Sequence, residues 1–232
     1  SWAAQASEGA RVYRLYSLSN LASLLALLCY PFVIEPWTSV QTQSTAWSTI
    51  YACFAALCIA SGLVLVRNHQ SQRAPSTPSG DAGSKPSLRL LALWVALATM
   101  GSWLLLAVTN HITQNIAAIP FLWILPLTLY LLTFVLCFES DRWYRRSLFV
   151  PLLFAVFAAC AYGLIDFSIG MRLKVAIPLY CAGLFVGCMV LHGELSALRP
   201  APRHLTRFYL ALSTGGALGG ILVGLVAPRI LP

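Results

Sequence analysis

The sequence predicts an all-α polytopic integral membrane protein with about seven transmembrane helices, and three observations lead there. Of its 232 residues, 59% are hydrophobic and only 9% charged, whereas a soluble domain carries about a quarter of its residues charged. The charges are clustered, which leaves uncharged runs between them. A hydrocarbon core about 30 Å thick is crossed by about 20 helical residues, and several runs reach that length. Basic residues gather in alternate connections, as cytoplasmic loops require. Within lipid each backbone amide must be paired inside its own segment, so such runs are helices.

The spans read in order as 15–34, 46–66, 90–109, 118–138, 147–165, 175–191 and 208–227. The domain reading follows from them. Residues 1–14 form a cytoplasmic N-terminal segment, 15–66 a two-helix membrane unit, and 90–232 a five-helix membrane unit. Between the units, 67–89 is rich in Ser, Pro and Gly with few apolar residues. Such a composition buries no core and reads as a flexible cytoplasmic linker. The chain opens on Ser1 with no signal-peptide apolar region, so it reads as a piece of something longer.

Orientation rests on Lys and Arg. With the N-terminus in the cytoplasm, twelve of the fifteen basic residues fall inside, and only Arg172, Lys174 and Arg229 fall outside. That asymmetry predicts a multi-pass protein of the bacterial inner membrane.

Several function classes are disfavoured. The net charge of +8 sits in short loops rather than in a basic stripe interleaved with aromatics, so no nucleic-acid partner is expected. The seven cysteines are odd in number, lack a CxxC pair and fall mostly inside apolar runs. They read as small packing residues, with no disulfide framework, metal site or cofactor expected. No HExxH or GxSxG occurs, and no close Asp pair lies within a span, so no catalytic residue is assigned and the chain is not expected to be an enzyme.

Polar groups inside a membrane are the default functional candidates. Ser17-Leu18-Ser19-Asn20 opens the first helix, where capping and interhelical hydrogen bonding are the plain reading, with Asn20 the pathway candidate. Glu35 closes that helix before Pro36, a solvated carboxylate or a cation contact. Asn110, His111, Thr113, Gln114 and Asn115 form a dense polar cluster between apolar runs. It reads equally as an outer loop or as a re-entrant turn lining a cavity, where irregular backbone is tolerated. His192 and Glu194 end the sixth span, two apart and so on different helical faces. Glu194 is expected to pair with Arg199 or Arg203, a proton relay being the sharper alternative.

The run Ser213 to Gly220, followed by Gly224, carries overlapping small-xxx-small repeats. Gly215 and Gly219 share one face; Gly216, Gly220 and Gly224 share another. All five are read as helix-packing positions that let two backbones approach closely. A phosphate-cradling loop is disfavoured because no strand precedes the run.

The stretch TNHITQNIAAIPFLWILPLTLYLLTFVLCFES, Thr109 to Ser140, resembles the membrane region of bacterial fused major-facilitator-like/spermidine synthase-like proteins. Tyr16 to Pro36 and His192 to Gly220 are similar to the same group, in the same order. The resemblance implies a transporter-like membrane region followed, in the family, by a soluble synthase-like domain. This sequence holds no such domain, and none of its catalytic residues can be carried over.

Two functions follow as expectations. One is a transporter-like membrane domain recognising a small polar or cationic solute such as a polyamine. The other is a non-catalytic membrane subunit that packs against partner proteins. The expected partners are the lipid bilayer and other membrane subunits or a synthase-like domain.

Overall fold

The computed structural model describes residues 17–71, 86–116, 122–166, 172–201 and 204–230. The N-terminal segment 1–14 and most of the expected linker lie outside the described residues. Seven helices are described: α1 Ser17–Ile34, α2 Val40–Ser71, α3 Leu88–Asn110, α4 Ile124–Glu139, α5 Arg146–Ile165, α6 Leu173–Ala197 and α7 Leu205–Ile230. Six are long and apolar enough to cross a membrane. The exception is α4, whose 16 residues rise about 24 Å, short of a 30 Å core.

Helices run past their apolar windows because backbone hydrogen bonding does not stop where hydropathy does. Two early starts have capping serines. Ser39 Oγ accepts from the Thr42 amide at 3.2 Å ahead of α2, and Ser87 Oγ accepts from the Leu90 amide at 3.2 Å ahead of α3. At its other end α2 continues to Ser71, into the stretch read as linker.

The chain divides into two compact units, Ser1–Leu28 with Lys85–Pro232, and Cys29–Ser84. The grouping differs from the two-helix and five-helix units expected, because the start of α1 belongs with the larger one. There the Ser17 hydroxyl donates to the Val135 carbonyl of α4 at 3.2 Å.

The smaller unit holds the end of α1 and all of α2. No residue in the most apolar window of α2 is buried.

In the larger unit α6 is the central element, packed on α3, α4 and α5, while α7 packs along α3. Trp94, Phe138, Met189, Leu195 and Phe208 make its core. Trp94 meets Phe208 edge-on at 5.1 Å, and its indole N–H donates to the Leu198 carbonyl at 3.1 Å. These contacts bring the start of α3, the end of α6 and the start of α7 to one end of the bundle. His111 against Tyr180, 4.5 Å between ring centroids, joins the end of α3 to the start of α6 at the other. Arg89, Arg142, Arg145, Arg146, Arg199 and Arg207 thus share one end of this unit, opposite Arg172, Lys174 and Arg229.

Candidate functional site

The polar cluster after Thr109 is helical, not a loop and not a re-entrant turn. α3 continues through it as a π-helix, His111–Ile116. Across the gap α7 has its own π turn, Leu222–Val226. Single π turns are concentrated at functional sites because the extra residue re-aims side chains. Between these stretches lies a cavity of about 960 Å³ whose wall includes Asn110, His111, Thr113 and Gln114.

The four side chains are not equivalent. The Thr113 hydroxyl donates to the Thr109 carbonyl at 2.8 Å, and Thr109 donates to the Leu105 carbonyl at 2.7 Å. Their protons are committed, so toward the cavity they offer only oxygen lone pairs. The Asn110 and Gln114 amides make no hydrogen bond among the described residues. Four residues apart, each brings a carbonyl acceptor and an N–H₂ donor. The Asn115 side chain lies outside the described residues.

The glycines divide into two roles. A Cβ at Gly215 would lie 2.6 Å from both Ala98 Cβ and the Val95 carbonyl oxygen. One at Gly219 would lie 2.7 Å from Ser102 Cβ and 2.8 Å from the Thr99 carbonyl oxygen. Both therefore seat α7 on the backbone of α3. In lipid, where apolar burial gives helices little reason to associate, such close approach is what holds them. The other face behaves differently. A Cβ at Gly220 or Gly224 would meet nothing within 4 Å, and at Gly216 only Ser102 Oγ at 3.6 Å. Gly220 and Gly224 instead line the large cavity. Their missing side chains are part of its volume.

His192 lies inside the bundle, 1% exposed, and its Nδ1 is 2.9 Å from Thr133 Oγ1. The Thr133 hydroxyl also lies 2.8 Å from the Tyr130 carbonyl, to which it donates. With one proton to give, Thr133 can make both bonds only by accepting from an Nδ1–H. The imidazole is then the Nδ1 tautomer, with Nε2 a buried acceptor that no described group satisfies. Phe134 covers its ring at 3.8 Å between centroids.

Glu194 points elsewhere, as two residues of helix require. It accepts from the Tyr144 hydroxyl at 2.7 Å and pairs with Arg146 Nε at 3.3 Å. The expected partner Arg199 is instead engaged with Asp141 at 3.2 Å, and Arg203 lies outside the described residues. The Tyr144 ring lies flat on Gly193, where a Cβ would collide with it. Burial, and then the bond to Glu194, push the Tyr144 hydroxyl well above the ordinary tyrosine range. Tyr144, Arg146 and Glu194 thus tie the α4–α5 connection to the end of α6.

The two remaining candidates are not among the residues that line this cavity. Asn20 borders a smaller one of about 310 Å³ with Ser102, Tyr130 and Ser213. Glu35 is exposed at the end of α1, its amide bonded to the Tyr30 carbonyl at 2.9 Å.

No protein-family model, curated protein or solved structure matches this chain. The family resemblance therefore rests on the residues quoted for it above. Sequence reasoning missed the Thr133–His192 pair, which is 59 residues apart and carries no local signal. It also missed that Tyr144, an aromatic amid arginines near a helix start, pairs with Glu194.

Proposed function

We propose that this membrane protein binds a small, uncharged, hydroxyl- or amide-bearing solute in the cavity between the ends of α3 and α7. The observation that carries the reading is the pair of amides at Asn110 and Gln114, which no described group satisfies and which line a space of about 960 Å³. Both side chains are exposed, so a ligand exchanges their hydration for its own hydrogen bonds, a net gain of about 0.5–1.5 kcal/mol for each bond. Among the described residues that line the cavity there is no Asp, Glu, Lys or Arg. A polyamine would bring several ammonium charges against a wall with no carboxylate, which favours an uncharged solute. The resemblance to the transporter-like region of the synthase-like fusions points in the same direction, toward solute handling. We propose a bacterial inner membrane location with the N-terminus and the Arg142–Arg146 connection in the cytoplasm, following the distribution of basic residues.

The test is thermal stabilisation of the purified chain in phosphatidylcholine nanodiscs by polyols, small amides and spermidine in parallel. Uncharged solutes should raise the melting temperature. Asn110→Ala with Gln114→Ala should abolish that response, as should Gly224→Leu, which fills the cavity. A response to spermidine alone, or one that survives both changes, would refute the reading.

A second reading, a subunit packed against partner proteins, is favoured by α2, which buries none of its apolar window within its own unit. Co-purification of a stoichiometric membrane partner, lost when α2 surface residues are replaced by leucine, would support it.

A further inference from the structure

A second cavity lies on the neighbouring flank of α3. It measures about 360 Å³, and Leu104, Val108, Phe157, Ala161 and Leu164 are among its walls. It is almost wholly apolar. Its one cysteine, Cys160, has its thiol turned to the Leu179 carbonyl at 3.6 Å.

The two cavities share two lining residues, Ala107 and His111. These stand four apart on α3 and so lie one above the other on a single face. To one side, Leu104 and Val108 complete the apolar wall; to the other, Asn110 and Gln114 add amides to a wall that also holds Trp103 and Leu106. Ala107 presents only a methyl group at the boundary. His111 sets its ring edge-on to Tyr180 at the rim of the apolar side. Among the described residues, neither cavity has a charged residue in its lining. A chamber that carries two amides on a largely apolar wall and a chamber that is almost wholly apolar thus meet along Ala107 and His111.

We propose that the ligand is a single-chain amphiphile. Its uncharged, hydroxylated headgroup occupies the polar cavity, and its alkyl chain crosses Ala107 into the apolar cavity. The proposal rests on the reading of the polar cavity given above and names the class of ligand that reading leaves open. A charged headgroup is disfavoured because no opposite charge lines the space that would receive it. An alkyl chain suits the second cavity because its described walls are mostly hydrocarbon, with polar atoms confined to a few residues such as His111 and Tyr180.

The experiment uses the full chain in phosphatidylcholine nanodiscs and a monododecanoylglycerol bearing a diazirine near the end of its chain. Photolysis should label Phe157, Ala161 or Leu164. Excess unlabelled monododecanoylglycerol should suppress that labelling at least tenfold, and dodecanoate, whose head is charged, should not. Ala161→Trp and Leu164→Trp, both at exposed positions, should each cut labelling about as far by filling the apolar cavity. Thermal stabilisation by glycerol should persist in both variants. Labelling spread evenly over lipid-facing positions and insensitive to these variants would overturn the amphiphile while leaving the polar-solute reading intact. Labelling competed equally by dodecanoate would overturn the uncharged headgroup. Loss of the glycerol response in wild-type protein together with scattered labelling would remove both.

Discussion

Alanine at Gly219 and alanine at Gly220 differ by one position in sequence and should differ sharply in consequence. Each replaces glycine in a helix, which by propensity alone stabilises by up to about 1 kcal/mol. Comparing the two cancels that contribution and leaves the contact. At Gly219 the new methyl would sit 2.7 Å from Ser102 Cβ and 2.8 Å from the Thr99 carbonyl oxygen, where ordinary contact begins at 3.4 Å. One obstacle is backbone and the other is the first atom of a side chain, so no rotamer change relieves the overlap. α7 must move off α3 by more than half an ångström, and overpacking of this kind costs about 1–3 kcal/mol. Gly215→Ala meets the same obstacle at 2.6 Å from Ala98 Cβ and the Val95 carbonyl oxygen. At Gly220 and Gly224 the methyl meets nothing within 4 Å, so those variants should match or exceed wild type. The Gly215→Ala, Gly219→Ala double variant should lose less than the sum of its parts, because one displacement of α7 relieves both contacts. Unfolding in mixed micelles by SDS titration reads all five variants on one scale. Gly219→Ala and Gly220→Ala agreeing to within about 0.5 kcal/mol, the usual spread of neutral substitutions, would refute the assignment of the packing face.

Two further predictions concern polar contacts and a third the orientation in the membrane. Thr133→Val should cost about 1–3 kcal/mol by leaving the His192 Nδ1–H buried without an acceptor, and Thr133→Ser should restore most of it; equal stability of Thr133→Val and wild type would remove the bond from the account. Tyr144 binds its proton more tightly in the folded chain than in the unfolded one, because burial and Glu194 both raise it. Its contribution is therefore fully present below the ordinary tyrosine value near 10 and is lost as pH rises above it. The stability difference between wild type and Tyr144→Phe should hold from pH 7 to 9 and shrink at pH 11, and a difference unchanged at pH 11 would contradict this. For orientation, single cysteines at Arg142 and at Arg172, in a background without the native seven, should separate under a membrane-impermeant maleimide applied to spheroplasts: Arg172→Cys labelled, Arg142→Cys protected. The reverse pattern would invert the topology.

Local chemistry was enough for the broad architecture. Continuously apolar runs of about 20 residues are helices in lipid, since a helix satisfies its own backbone and barrel strands are shorter and alternate, and that holds whatever the helices pack against. Six of the seven runs became helices long enough to cross, and the charge clusters became the ends of the bundle. The polar cluster from Asn110 to Gln114 was legible for the same reason, as polar side chains where few are tolerated. Its backbone was not, because loop, re-entrant turn and π-helix differ only in which carbonyl each amide finds.

Partner choice needed the tertiary structure. The spacing of Gly215, Gly216, Gly219, Gly220 and Gly224 puts two glycine faces on one helix. Only the position of α3 decides that the first face packs and the second opens a cavity. Glu194 had arginines near it in sequence, yet among the described residues the arginine that reaches it is Arg146, from a different helix. His192 looked like a neighbour of Glu194 and is instead held by Thr133, 59 residues away. A sequence records how often a polar or small residue recurs along one helix. Which surface it meets depends on how the helices are rotated and set against one another, and in a bundle held by close contact rather than by apolar burial, that is decided by the fit of all of them together.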